Sequence, residues 1–345
     1  MKEIFKGNDV LTWQQLLDEG IHILEEAGIE EARLDAWYLL EKAFQMNKVH
    51  FLMDRNREIF PDILKKGGPK YQEFLEKRAK RIPLQQILEV QEFMGLSFFV
   101  NEHVLIPRQD TETLVETVLK EHKETSCSVL DMCTGSGCIA LSLALLGGYE
   151  RITAVDVSLN ALRVARKNVS SLFQVQRGIL RSESKTLSEN PWRWSNTVYL
   201  APEGEEQKKV GLHSVKEGSK IRTRTFSLIE SDLFANLDSR IQYDIIVSNP
   251  PYIPSDIVET LEPEVRDHEP RMALDGREDG LYFYRILAER CHEYLKDGGN
   301  IYFEIGYDQA EAVVMLLESA GYEEIEVVKD TPGLDRVVKA VWHFK

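Results

Sequence analysis

Val129-Leu130-Asp131-Met132-Cys133-Thr134-Gly135-Ser136-Gly137-Cys138 reads as a buried strand that ends in a glycine-rich turn and opens a helix. Glycines let backbone approach a ligand closely, and a helix N-terminus offers free N–H donors. Gly135-x-Gly137-x-x-Ala140 satisfies the dinucleotide-binding pattern, which is a weak signal alone. Two carboxylates sharpen it. Asp131 sits at the strand end before the glycines, where it either fixes the turn or faces a ligand ammonium; a pyrophosphate at this turn would gain nothing from it. Asp156 ends the next strand, in Ala154-Val155-Asp156-Val157, near the spacing of an acid that accepts both hydroxyls of a ribose.

Outward from this stretch the apolar pattern alternates between strand and helix. Strands are expected at 126–132, 151–156, 225–230, 243–248 and 300–305, and helices at 137–146, 159–168, 280–295 and 310–320. Two last strands are expected near 324–328 and 336–343. Strands alternating with helices predict an α/β fold, a parallel sheet covered on both faces. The first eighty or so residues read instead as helices. Thr12 and Gln15 form a capping box, and Trp13, Leu16, Leu17, Ile21 and Leu24 follow at helical spacing. A second helix is expected over 32–44, with Leu34, Trp37, Tyr38 and Leu40 as its apolar positions, and a charged third over 69–80. A β-hairpin interrupted by Gly95 is expected over 85–100. The domain boundaries follow: a helical domain over 1–84, a hairpin linker over 85–108 and the α/β domain over 109–345.

One segment breaks the rhythm. Residues 170–224 show neither period, contain Pro191, Trp192 and Trp194, and turn Gly/Glu/Lys-rich from Ala201 to Lys220. From Gln176 to Arg224 there are ten Lys/Arg against six Asp/Glu, a basic patch in an acidic chain. A surface insertion at about 173–224 is the better reading over a partner contact, because surface loops tolerate insertions.

Asp244-Ile245-Ile246-Val247-Ser248-Asn249-Pro250-Pro251-Tyr252-Ile253 is the most specific stretch. An apolar strand runs into prolines, which cannot donate to a ladder, so it ends there at the carboxyl edge of the sheet, where open α/β sheets bind ligands. The pattern suits chemistry on a planar NH2 group. An amide nitrogen is a poor nucleophile because its lone pair is delocalised; the exocyclic amine of adenine shares the problem. The Asn249 side-chain oxygen and the Pro250 carbonyl can each take one N–H hydrogen and aim the lone pair at an electrophile. The adjacent prolines stiffen that carbonyl, and Tyr252 can pack on the planar group.

The 345 residues suit one large and one smaller domain, and 43% hydrophobic content supplies a core. The formal net charge of -15 disfavours a phosphate-gripping surface and fits a small-molecule site or a basic protein partner better. Cys127, Cys133, Cys138 and Cys291 form no zinc spacing and read as reduced core thiols of a cytoplasmic protein; no metal is expected. Met1 to Val10 is polar, unlike a signal peptide, and no apolar run is long enough to span a membrane.

These motifs together resemble the HemK/PrmC-type glutamine N5-methyltransferases, which modify the Gly-Gly-Gln motif of class 1 peptide chain release factors. Further resemblance lies in Ala32-Arg33-Leu34-Asp35-Ala36, in Val104-Leu105-Ile106-Pro107-Arg108-Gln109-Asp110-Thr111-Glu112, and in Glu269-Pro270, Asp279-Gly280-Leu281, Glu304-Ile305-Gly306 and Asp330 with Asp335-Arg336. The resemblance implies a class I (Rossmann-like) methyltransferase with a seven-stranded sheet behind a helical, substrate-recognising domain. It implies S-adenosyl-L-methionine as cofactor, held by Asp131, Cys133, Thr134, Gly135, Ser136, Gly137, Asp156, Asp232, Leu233 and Asn249. Asn249, Pro250, Pro251 and Tyr252 would hold the target glutamine, with Asn249, Pro250 and Tyr252 catalytic. Arg108 and Glu112 either shape the cleft entrance or cap the next helix, and Glu304 reads as structural. The expected partner is a release factor, met by a monomer without nucleic acid or membrane.

Other readings remain open at the level of sequence: a glutamine methyltransferase of a ribosomal protein, an N6-adenine methyltransferase using the same four residues, a nicotinamide dehydrogenase, and a non-catalytic binding module. A duplex-DNA enzyme would also need a basic region to flip its base.

Overall fold

The structure, a computed structural model, describes residues 11–175, 179–186, 193–200 and 222–344. It divides into two compact units, Met1–Val90 with Glu262–His268, and Gln91–Leu261 with Glu269–Lys345. Pro191, Trp192 and the stretch 201–220 singled out above lie outside the described residues, as does the stretch before Leu11.

The first unit is helical: α1 (Trp13–Glu26), α2 (Ala32–Phe44), α3 (Lys48–Asp54), α4 (Pro61–Ala79) and α5 (Leu84–Leu88). The capping box forms, with Thr12 Oγ1 accepting from Gln15 N at 3.2 Å and Gln15 Oε1 from Thr12 N at 2.9 Å. Trp13, Leu16, Leu17, Ile21 and Leu24 are buried, as their spacing predicts. The face of α2 differs from expectation: Leu34 and Tyr38 are exposed, while Asp35 is buried with Ala36, Leu39 and Leu40. The cause is a buried ion pair, Arg78 Nε to Asp35 Oδ2 at 2.6 Å, with Arg78 Nη1 also on Glu264 at 3.0 Å. A charge enters a core when it is paired, and apolar spacing does not register that. Helix α4 begins eight residues before the expected start. It carries Pro69 internally, and its Gly67 lets the Phe44 ring approach so closely that a Cβ would lie 2.3 Å from it. The expected hairpin is shorter than predicted, since 84–88 is helical.

The second unit opens with the hairpin β1 (Gln91–Phe93) and β2 (Leu96–Phe98). Its two-residue turn, Met94-Gly95, has φ +52° and +70°, the twist that tight hairpins need. Then come α6 (Glu112–Glu121), β3 (Ser128–Met132), α7 (Cys138–Ser142) with a π turn after it, β4 (Arg151–Asp156) and α8 (Leu159–Val175). After these follow β5 (Ile179–Thr186), β6 (Arg193–Leu200), β7 (Arg222–Glu230), β8 (Tyr243–Ser248), α9 (Tyr282–Arg290), β9 (Leu295–Glu304), α10 (Ala310–Ala320), β10 (Glu323–Lys329) and β11 (Asp335–Trp342). The sheet order is β10-β11-β9-β8-β3-β4-β7-β6-β5. Strands β9, β8, β3, β4 and β7 are parallel, and antiparallel pairs flank them on both sides.

The strands alternate between two cores. Val129, Ile245, Val247, Tyr302 and Val337 join α6, α7 and α8 residues on one face. Leu130, Ile246, Ile301, Phe303 and Val338 join Tyr284, Leu287, Val313 and Leu317 of α9 and α10 on the other. Both faces are covered, so the central strands carry apolar runs such as Val129-Leu130, Ala154-Val155 and Ile245-Ile246-Val247. The sheet has nine strands, not the expected seven. Two come from the insertion: β6 pairs with β7 and β5 with β6, so part of the segment that lacks a sequence period is regular strand. Strand β6 buries Trp194 and Asn196 on one face, and a polar residue at a buried position hides the alternation. Trp194 fills core, with the Arg166 guanidinium 5.1 Å from its ring centre. Among the described residues no helix is long and apolar enough to cross a membrane.

Candidate active site

The sheet reverses its order at β3, with β4 on one side and β8 on the other. That reversal splays the following loops apart and opens a cleft at the carboxyl edge. Its empty space, counting the part open to solvent, is about 950 Å³. Its wall includes Cys133, Thr134, Gly135 and Ser136 after β3, Asp156 after β4, Ser231, Asp232 and Leu233 after β7, and Asn249 and Pro251 after β8. The glycine-rich turn and the Asn-Pro-Pro-Tyr segment therefore face one cavity.

Asp156 sits in the middle. Its Oδ2 accepts from Gly135 N and its Oδ1 from Ser158 N, both at 2.8 Å. Each oxygen keeps a further lone pair, and the main-chain donors fix the carboxylate on the cleft wall. Burial pushes its pKa up, against those hydrogen bonds. Asp131, expected at the ligand, is completely buried beneath the turn and does not line the cleft. Its Oδ2 accepts from the Thr134 hydroxyl at 2.7 Å and Ala140 N at 3.2 Å, so of its two possible roles it takes the turn-fixing one. Burial raises its pKa to about 7. Gly137 is also off the wall: it caps α7 at φ +81°, with Ala165 where a side chain would go. Cys133 lines the cleft with φ +61°, a left-handed conformation that costs a non-glycine residue about 1–2 kcal/mol. Its thiol is driven up by burial and by the neighbouring carboxylates.

At the other end Asn249 is half-buried and donates its Nδ2 to Thr111 Oγ1 at 3.3 Å. No described donor reaches Asn249 Oδ1 or the Pro250 carbonyl. Pro250 and Tyr252 are not part of the cleft wall. The Tyr252 hydroxyl reaches Glu304 Oε1 at 3.4 Å, and its partly buried ring packs on the second core.

Several contributors were not evident from sequence. Gln309 donates to the Tyr252 carbonyl at 2.9 Å and accepts from Gly306 N at 3.0 Å. Ile253 pairs with Asp275, holding the loop in register, and Gly276 and Gly280 press against Tyr252 backbone. Thr111, Pro270, Met272 and Phe283 line the cleft. The clue to Thr111 was the Pro107-to-Glu112 resemblance; Phe283 and Gln309 gave none. Arg108 lines the rim and is held by Glu269, buried, at 2.5 Å. Glu269 also accepts from Ile106 N at 3.2 Å. Glu112 stands off the wall and ties down the hairpin, accepting from Met94 N at 2.5 Å. All four cysteines are free, two of them buried and Cys127 and Cys133 half-buried. Among the described residues no His/Cys/Asp/Glu cluster is arranged to hold a metal.

Comparison with known proteins follows the same division. The PrmC N-terminal domain model matches residues 15–88, and the ribosomal protein L11 methyltransferase (PrmA) model matches residues 109–190. The release factor glutamine methyltransferase of Geobacter sulfurreducens is 34% identical over 330 residues, 96% of each chain. That of Caulobacter vibrioides is 35% identical over 319 residues, 92% of each. That of Clostridium acetobutylicum is 35% identical over 320 residues, 92% of this chain and 94% of its own. With 34–35% identity sustained over 92–96% of its length, the chain belongs to the release factor glutamine methyltransferase family.

Proposed function

We propose that this chain methylates the side-chain amide nitrogen (N5) of the glutamine in the Gly-Gly-Gln motif of class 1 peptide chain release factors, with S-adenosyl-L-methionine as donor. The observation that carries the reading is the pair of unengaged acceptors, Asn249 Oδ1 and the Pro250 carbonyl, at the end of β8 beside a cleft walled by the glycine-rich turn.

The cleft residues fit this cofactor. Asp156 offers a fixed carboxylate with free lone pairs to a ribose diol. The turn 133–136 offers a cradle for the amino-acid end, in which an added Cβ on Gly135 would meet nothing within 4 Å. Leu233 and Val157 offer apolar surface to a flat base, beside the Asp232 carboxylate. When bound, the cofactor supplies an electrophilic sulfonium methyl, the reactive part of the chemistry. The protein's work is positioning. Asn249 and Pro250 take the two N–H hydrogens of the incoming amide, which localises its lone pair and fixes its direction. Proline on both sides of the Pro250 carbonyl and the Gln309 bond to Tyr252 keep that acceptor pair rigid. Preorganised acceptors need no rearrangement as charge develops on nitrogen. The first, helical unit is proposed to recognise the release factor.

The test is incubation with a labelled methyl donor and separate pools of release factors, ribosomal proteins and nucleic acid, followed by mapping of the modified atom. Label on the glutamine amide of a release factor is the expected result. Label confined to ribosomal protein or to adenine would overturn the substrate assignment.

A further inference from the structure

S-adenosyl-L-methionine ends in an amino-acid group, whose carboxylate must enter a cleft that already holds two others. Asp156 and Asp232 are on the wall; the basic side chains among the described wall residues are Arg108 and His103. Taking a carboxylate from water into such a place costs free energy unless a donor, best a cation, receives it. His103 has Glu102 beside it at 3.6 Å.

Arg108 stands at the end where this group has to lie. Its carbonyl accepts from Thr111 N at 3.2 Å, and Thr111 Oγ1 accepts from Asn249 Nδ2 at 3.3 Å, so the segment 108–111 belongs to the Asn249 end of the cleft. The methyl group must be presented to Asn249, and the amino-acid chain hangs from the same sulfonium.

The guanidinium is also aimed. Its Nη2 donates to Glu269 Oε1 at 2.5 Å, and Glu269 Oε2 accepts from Ile106 N at 3.2 Å. The Glu269 side chain is 1% exposed, so an acid buried at some cost serves as a bracket for a rim residue. A carboxyl oxygen accepts from a guanidinium whether or not the acid is ionised, so the bracket survives the upward push that burial gives Glu269. Among the described residues nothing accepts from Arg108 Nε or Nη1. A guanidinium held by one arm and free at the others can meet a planar carboxylate with two parallel N–H groups. Being fixed beforehand, it loses little freedom on binding.

We propose that Arg108, bracketed by Glu269, binds the carboxylate at the amino-acid end of the cofactor. Arg108 is a binding residue, and Glu269 is a positioning residue that acts through it. The inference rests on S-adenosyl-L-methionine being the donor, and adds the contact that tells this ligand from a plain nucleoside thioether.

Two ligands isolate the carboxylate: S-adenosylhomocysteine, and its decarboxylated form, which keeps the base, ribose, sulfur and ammonium. Their affinities for the full-length wild type and its variants are measured by calorimetry, without turnover. Arg108→Gln is expected to weaken S-adenosylhomocysteine by about 10- to 100-fold, the loss of a hydrogen bond between charged groups. The decarboxylated ligand should stay within about twofold of its wild-type affinity. Arg108→Lys keeps the charge without the planar fork and should fall between wild type and Arg108→Gln. Glu269→Ala, which frees the guanidinium, should weaken S-adenosylhomocysteine selectively by about 3- to 10-fold, the cost of ordering one long side chain.

Equal losses for both ligands would reduce Arg108 to a structural part. Unchanged affinity of Arg108→Gln for S-adenosylhomocysteine would overturn the assignment, and a raised KM for the release factor in that case would give the guanidinium to the protein substrate instead. Wild type that bound neither ligand would overturn the donor itself, a result distinct from wild type and Arg108→Gln binding equally well. If Arg108→Gln strands the buried acid and does not fold, Arg108→Gln/Glu269→Gln, which removes both charges, is titrated in its place with the same outcomes deciding.

Discussion

Gly276→Ala should separate cofactor binding from turnover. A Cβ built at Gly276 lies 2.7 Å from Tyr252 Cα, 2.8 Å from Tyr252 C and 2.8 Å from Gly280 Cα. Every one of these neighbours is backbone, so no side chain can swing aside. Gly276 does not occupy the left-handed region, so alanine carries no dihedral penalty there and the effect is purely steric. Restoring ordinary contact at 3.4 Å asks for a displacement of about 0.7 Å between the two strands of chain. Gly276 N also donates to the Ile253 carbonyl at 2.8 Å, so the strain passes directly into the Asn-Pro-Pro-Tyr segment. Misplacement of about 1 Å in a positioned group costs on the order of 100-fold in rate; a shift of this size should therefore lower kcat by roughly 10- to 100-fold. Asp156 and the turn at Gly135 follow other strands, so affinity for the demethylated cofactor, measured by calorimetry, should stay within about twofold. Gly298→Ala is the control: φ is +73° and nothing lies within 4 Å, so it should cost about 1 kcal/mol of stability and no turnover. The reasoning fails if Gly276→Ala turns over at the wild-type rate, or if kcat and cofactor affinity collapse together.

Asn249→Ala should reduce kcat by about 10²–10³, in the range of a lost preorganised hydrogen bond in other enzymes, with cofactor affinity little changed; steady-state kinetics beside calorimetry would show it. Cys133→Gly should raise stability by about 1 kcal/mol in denaturant melts, because glycine occupies φ +61° without strain. Asp131 is held by burial at a pKa of about 7, above its ordinary 3.8, so the fold favours its protonated form. The penalty for ionising it is absent below about pH 4, grows as pH rises, and is complete above about pH 7. The stability of Asp131→Asn relative to wild type should therefore climb between pH 5 and pH 8; a difference flat across that range would contradict the assigned burial.

Local chemistry made part of this protein legible. Strands β4 and β8 and helix α10 end where apolar runs meet Asp156, Asn249 and Gly321, so pattern and boundary coincide. The Asn-Pro-Pro-Tyr stretch announced a strand end at the ligand edge because prolines cannot continue a ladder. Features made by distant partners were illegible. Asp35 reads as a surface residue until Arg78, 43 residues away, neutralises it. Strand β6 is hidden because Asn196 occupies a buried position. Asp131 has a residue type suited to the ligand, yet hydrogen bonds from Thr134 and Ala140 hold it beneath the turn. The clamp on the site, from Thr111, Gly276 and Gln309, joins three segments that only the sheet brings together.

The central claim is a geometry, and a crystal structure with a Gly-Gly-Gln peptide and the demethylated cofactor measures it directly. Asn249 Oδ1 and the Pro250 carbonyl should each lie within about 3.2 Å of the glutamine amide nitrogen. An amide nitrogen held by other groups, with Asn249 Oδ1 turned into the protein, would contradict the account.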